Sequence, residues 1–319
     1  MVVAHEVYGH GARLREIHTP NIRYHFSAPI PYGGGGASTE FGGEMLVTRA
    51  NVLGIDTAGI EAQNVLAEEI GRQALARGTM HHREAWQYLE SRLDGLRYIR
   101  SVSGRSPEGH DVAAFLLDFN DECHAPACTP LDARTLKRRA LAMLADPLLA
   151  YSIYGMAVSY LVRGRTAVGL PMIPLPHDVR YLPALRFEMT PNGTEWTTEH
   201  NVVVGRRLTS LSFRVADTGR RRAWGVGVLA TDVVRRARLT GEISAEVWRQ
   251  PPLDSPPTSQ TLATGGLAAM TANVVLGRLP RAPARISLYL QGGYKSDGFV
   301  RGERLRAGGV VRAGLTFSP

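Results

Sequence analysis

Leu185-Arg186-Phe187-Glu188-Met189-Thr190-Pro191-Asn192-Gly193 decides how the second half of this chain folds. Apolar and polar side chains alternate along it, and the run ends on Pro-Asn-Gly. Alternation of period two is the mark of a strand with one covered face, and Pro-Asn-Gly is a turn. The pattern then recurs to the end of the chain. Residues 197–204 form a second such run. Leu211, Phe213 and Val215 carry the next, followed by Trp224, Val226 and Val228, then Ile243, Ala245 and Val247. Ala268 to Leu276, Ile286 to Leu290 and Val311 to Phe317 complete the set. Asp217-Thr-Gly219, the proline-rich segment 251–257 and Ser296-Asp-Gly298 punctuate it. The expectation is an antiparallel sheet of eight strands, closed as a barrel over residues 179–319.

Eight such strands have two solutions. A soluble barrel or sandwich keeps its apolar face inside. A membrane barrel turns that face to lipid and its Arg, Glu and Gln to the lumen. The length of the strands and the aromatics near their ends favour the membrane. The final strand, ending near Phe317, resembles the last strand of bacterial outer-membrane barrels, which ends on an aromatic. That resemblance implies outer-membrane lipid as a partner.

Residues 1–178 read differently, with apolar side chains at helical spacing. A helix is expected over 2–18, an irregular segment over 19–43 with a glycine run at 33–36, and a short helix over 44–54. A further helix is expected to start at Thr57 as its N-cap and to end near Gly78. Others follow over 80–99 and from 131. Between 140 and 162 the only charge is Asp146. By length this stretch reaches across a bilayer, but Asp146-Pro147 breaks it into two helices. The expected class is therefore α+β, a mainly helical domain over 1–178 followed by the barrel.

The chain has 319 residues, 44% of them hydrophobic and 21% charged, as in a folded protein. Its formal charge of +8 rests on 37 basic residues, all arginine except Lys137 and Lys295. These are spread along the chain and gather on no single stripe, so nucleic acid is not an expected partner. The two cysteines, Cys123 and Cys128, leave three readings open: a small disulfide, half of a metal site, or free thiols.

Chemistry is concentrated in His5-Glu6-Val7-Tyr8-Gly9-His10. Zinc hydrolysis needs neutral or anionic ligands, an open position for water, and a carboxylate to take the water's proton. Histidines four apart share a helix face, whereas five apart are about 140° out of phase in an ideal α-helix. An extra residue taken up as a π-bulge restores the facing, and Gly9 is where backbone distorts most easily. The segment resembles the H-E-x-x-G-H signature of the dipeptidyl peptidase III family of zinc peptidases. The resemblance implies a zincin-like domain in which His5 and His10 bind Zn2+ and Glu6 activates a zinc-bound water. It also implies a third ligand from a glutamate on a second helix, and Glu61, 56 residues after His5, is the choice. Glu40 and Glu44 compete with it. Asn64 and Glu68 share Glu61's face as candidate supporting groups, and His81-His82 reads as a solvated helix start.

The motif begins four residues after Met1, with no room ahead of it for a signal peptide. The expectation is a chain that has lost its N-terminal part. The functional expectation is a zinc metallopeptidase acting on a peptide or protein, fused to an outer-membrane barrel, with the zinc domain in the periplasm. The alternatives are a non-enzymatic barrel with a helical periplasmic domain, and an inner-membrane zinc protease that uses 140–162 as its span.

Overall fold

The computed structural model describes all residues except 28–35, 43–47, 104–108, 122, 124–125, 257–258, 260, 279–284 and 319. The chain opens on a π-helical turn, Ala4–His10, which runs into the α-helix α1, Gly11–Glu16. Strands β1 (Arg23–Phe26) and β2 (Ala37–Glu40) then pair as an antiparallel ribbon, within a segment expected to be irregular.

The long helix α2 covers Arg49–Arg77 without a break. The expected boundary at Thr57 is not there. Thr48 caps the helix by accepting from the Asn51 amide, and the buried Thr57 hydroxyl donates back to the Leu53 carbonyl, 2.9 Å away. A hydroxyl that bonds within its own helix needs no cap role. Gly78, at φ +74°, ends α2 in the left-handed conformation that favours glycine.

Strand β3 (Thr79–His81) pairs with β4 (Ala167–Gly169). Between them lie α3 (His82–Ser101), α4 (Asp111–Asn120), α5 (Ala133–Ala140) and α6 (Pro147–Tyr154). A 3-10 turn, Leu141–Ala145, and a π-helix, Gly155–Val162, flank α6. Asp146 caps α6 and Pro147 takes its first turn, so the apolar stretch is broken where the proline predicts, with a bend of 64°. Among the described residues no single helix is long and apolar enough to cross a membrane. Cys123 and Cys128 are joined in a disulfide just after α4.

The remaining strands are β5 (Ile173–Leu175), β6 (Val179–Thr190), β7 (Gly193–Val204), β8 (Arg207–Asp217) and β9 (Arg222–Arg236). They continue with β10 (Leu239–Gln250), β11 (Ala263–Arg278), β12 (Arg285–Lys295) and β13 (Gly308–Ser318). Each pairs antiparallel with the next in sequence, giving one nine-stranded meander. The eight expected strands are all present, and the short β5 is the addition.

The sheet is open, not the closed barrel expected. Among the described residues β13 pairs only with β12, and β5 only with β6. Closure would require β13 to find an edge at β6. That strand instead takes up β5 at its start and packs along its length against α2, α5 and α6.

The sheet does curl. Arg301, in the connection between β12 and β13, donates to Glu188 of β6 at 2.6 Å and to Glu68 of α2 at 2.7 Å. The concave face carries charge: Arg186 bonds Glu199 at 2.9 Å and Arg214 bonds Glu195 at 3.0 Å, all four side chains buried. The convex face of β8–β13 is apolar and exposed, with Phe213, Val228, Val247, Met270, Leu290 and Leu315 along it. Buried charges must be paired to be tolerated, and here they are paired with one another across strands and with α2. The sheet is thus inside-out with respect to a soluble sandwich.

The two largest hydrophobic clusters both cross residue 178. One joins Leu53, Ile60, Ile99, Phe115 and Leu136 to Phe187 and Met189. The other joins Ala67, Leu75, Tyr88 and Leu148 to Leu182, Val203 and Leu208.

Candidate metal centre

The π-helix at Ala4–His10 settles the phase problem of the motif. In such a helix the hydrogen-bonded partners are five residues apart, so His5 and His10 come onto one face. Their ring centroids are 4.9 Å apart. The turn is pressed against α2 with almost no clearance. A Cβ on Gly9 would fall 2.6 Å from the Ala58 carbonyl oxygen. A Cβ on Gly59 would fall 2.3 Å from the His5 ring. Gly9 is therefore needed for close approach to α2, beyond the backbone freedom expected of it.

A third group meets the imidazoles, and it is Asp111, the first residue of α4. Its Oδ2 lies 2.9 Å from His5 Nε2 and 3.1 Å from His10 Nε2. The three donor atoms all lie within 4.8 Å of one another. His10 is oriented from behind, since its Nδ1 is 2.9 Å from the Ile55 carbonyl oxygen and donates to it. A neutral ring that donates from Nδ1 has a bare lone pair on Nε2. That lone pair faces a carboxylate oxygen, and two acceptors at hydrogen-bond distance require a cation between them. The cation is either a proton on His10 or a metal. Two imidazoles, one held by a backbone carbonyl, and one carboxylate form a donor set that suits Zn2+.

Electrostatics follow the same geometry. Burial raises the Asp111 carboxyl, but the hydrogen bonds and charges of His10 and His5 outweigh it and hold it well below the usual range. Burial pulls His10 down, and Asp111, then Glu6, reverse this and leave its pKa raised. Tyr98 completes the wall. Its phenol oxygen accepts from the Asp111 amide at 3.0 Å and its ring meets His5 edge-on, with centroids 5.6 Å apart. Burial, and then the charge of Asp111, push the Tyr98 phenol up.

Glu6 is buried on the same turn. The Thr39 hydroxyl, on β2, donates to its Oε2 at 2.6 Å. The ribbon segment expected to be irregular thus supplies the group that fixes the candidate base.

Glu61 does not join the imidazoles. Arg13 donates to both of its carboxylate oxygens at 2.8 Å, and the Gly302 amide donates at 2.7 Å. Arg13 follows His10 by one turn, so the helix that brings the histidines also brings the cation that occupies Glu61. Glu40 lies on β2 with its carboxylate 3.1 Å from His25, well exposed, and Glu44 is outside the described residues. Asn64 accepts from Arg92 at 2.8 Å and Glu68 binds Arg301, so neither supports the imidazoles. His81 caps α3 in a capping box with Glu84, and His82 stacks on Tyr160.

Asp111 escaped sequence reasoning for a physical reason. An aspartate opening a helix, 106 residues after His5, is an ordinary helix start, and nothing in local spacing links it to the motif. Compared with family models, with curated proteins and with solved structures, the chain finds no match in any of the three.

Proposed function

We propose that the chain is a zinc-dependent hydrolase of the metallopeptidase type, held in a bacterial outer membrane by the convex face of its sheet. The observation that carries the hydrolase reading is the meeting of His5 Nε2, His10 Nε2 and Asp111 Oδ2 beside a buried glutamate on the same π-turn. His5, His10 and Asp111 would hold the ion, with Asp111 in the role expected of Glu61. Bound zinc supplies a Lewis acid that polarises a carbonyl and acidifies water. Glu6 is the general base, its carboxylate steadied by the Thr39 hydroxyl. The Ile55 carbonyl fixes the His10 tautomer, and Tyr98 steadies Asp111. The substrate is a peptide or protein. The membrane reading is supported by the inside-out sheet, since an exposed apolar face over paired, inward charges suits a lipid surround.

A non-enzymatic outer-membrane protein built on the same open sheet is the second reading. It is favoured by the self-sufficiency of the triad, which a proton on His10 satisfies without metal. Elemental analysis of the purified chain separates the two. The expected result is about one zinc per chain, in line with a single three-ligand site. It should be lost in His5→Ala and Asp111→Ala and kept in Glu61→Ala and Glu6→Gln, with peptide hydrolysis lost in Glu6→Gln. A chain without zinc would remove the hydrolase reading. Zinc lost in Glu61→Ala but kept in Asp111→Ala would return the third position to Glu61.

A further inference from the structure

The two ends of the sheet differ. At one end β7 turns into β8 through residues 205–206 alone, and β9 into β10 through 237–238. The chain's last strand, β13, finishes at this end, where Ser318 pairs with Arg285. At the other end β6 joins β7 through residues 191–192 and β8 joins β9 through 218–221, but β10 joins β11 through 251–262 and β12 joins β13 through 296–307, both longer than any of these turns. The second of these connections reaches the helix that follows His10 and the Glu61 that it pairs with. Arg13 donates to the Glu303 carbonyl at 2.8 Å, the Leu305 amide donates to Glu16 at 2.6 Å, and Gly302 meets Glu61. Helix α2 runs from this end, where Gly54 lies against Leu305 and Pro191, to the other, where Gly78 lies against Arg180. The residues of α2 that touch the site, Ile55 and Gly59, belong to its first half.

Outer-membrane barrels, which are likewise antiparallel meanders, have a sense. Short turns face the periplasm and long connections face the exterior. From this asymmetry we infer that the metal centre opens to the outside of the cell, opposite to the periplasmic placement expected from sequence. Its substrate is then a polypeptide met in the surroundings of the cell. The inference rests on the membrane reading above, and it adds an orientation which that reading does not contain.

Cysteine accessibility tests it. Ala307→Cys marks the long-connection end and Arg206→Cys the short-turn end, and both positions are exposed. The native cysteines are joined to each other and stay silent toward a maleimide. The full chain, exported behind a secretion signal, would be treated with a membrane-impermeant maleimide in intact and in lysed cells. The expected result is a protein in the outer-membrane fraction, with Ala307→Cys labelled equally in both preparations and Arg206→Cys labelled only after lysis. The reverse pattern, with the protein still in the membrane, would overturn the orientation and leave the membrane reading standing. Recovery in the soluble fraction, or both positions labelled in intact cells, would overturn the two together.

Discussion

Single residues decide the chemistry of this centre, and their charge states are testable without a substrate. In the metal-free chain, His10 has a raised pKa and Asp111 a lowered one. A raised histidine adds stability that is complete below its ordinary pKa and is lost as pH climbs through the folded value. A lowered aspartate adds stability that is complete above its ordinary pKa and is lost as pH falls through the folded value. Both contributions are complete between the ordinary values of 3.8 and 6.5. Thermal unfolding of the metal-free protein should therefore show its highest Tm in this window and decline above it, and His10→Ala should flatten the decline. Asp56 makes the opposite case. Burial, and then Asp118, push its carboxyl up to about 9, so it is protonated at neutral pH. An amide has the same shape as a protonated carboxyl. Asp56→Asn should leave Tm at pH 7 unchanged or raised, and a clear loss of stability would show that the carboxylate is ionised. At this scale the sequence was partly legible. The Glu directly after His5 and the Gly directly before His10 suggested a stretched turn with both histidines on one face, and the π-turn realises that phase. Asp111 and Thr39 were not legible, because each is brought in by the fold from a distance.

At the scale of elements, the site depends on two helices touching backbone to backbone. Gly9 faces the Ala58 carbonyl and Gly59 faces the His5 ring. A methyl group at Gly9 meets main chain, which cannot step aside. Gly9→Ala should cost about 1–3 kcal/mol, read from denaturant unfolding. A methyl at Gly59 meets a side chain that can move, so Gly59→Ala should leave the fold largely intact and weaken zinc affinity roughly 10–100-fold, read by competition with a chelating dye. Equal effects of both substitutions on stability would contradict this division. The long α2 was read as two helices because Thr57 resembles a cap. Its hydroxyl is satisfied inside the helix, and Thr48, nine positions earlier, does the capping. Alternation was a sounder guide. All eight alternating runs lie in the sheet, because period two fixes which side chains share a face whatever covers that face.

The whole molecule poses the question of what surrounds the sheet. Over β8–β13 burial shows which face is covered: the charged face is inside and the apolar face is outside, whereas at β6 the apolar Phe187 and Met189 are covered by the helices. Whether the sheet closes was not legible, since closure depends on what competes for the edge of β6. If lipid covers the convex face, Val228→Arg near the middle of β9 should cost about 2–4 kcal/mol in a bilayer, while Val204→Arg at the end of β7 should cost about 0–1. Urea unfolding from liposomes reads the difference, and equal costs at the two depths would argue against a lipid surround. The clusters that join Leu53 and Ile60 to Phe187, and Leu75 to Leu182, carry a lesson for anyone who would borrow this chemistry. A chain cut at residue 178 would expose both halves of each cluster, and Arg13 would lose its hold on Glu303. The half that carries the imidazoles is therefore no portable cassette. Grafted elsewhere it would need its sheet brought with it, and the two halves would have to change together in descent.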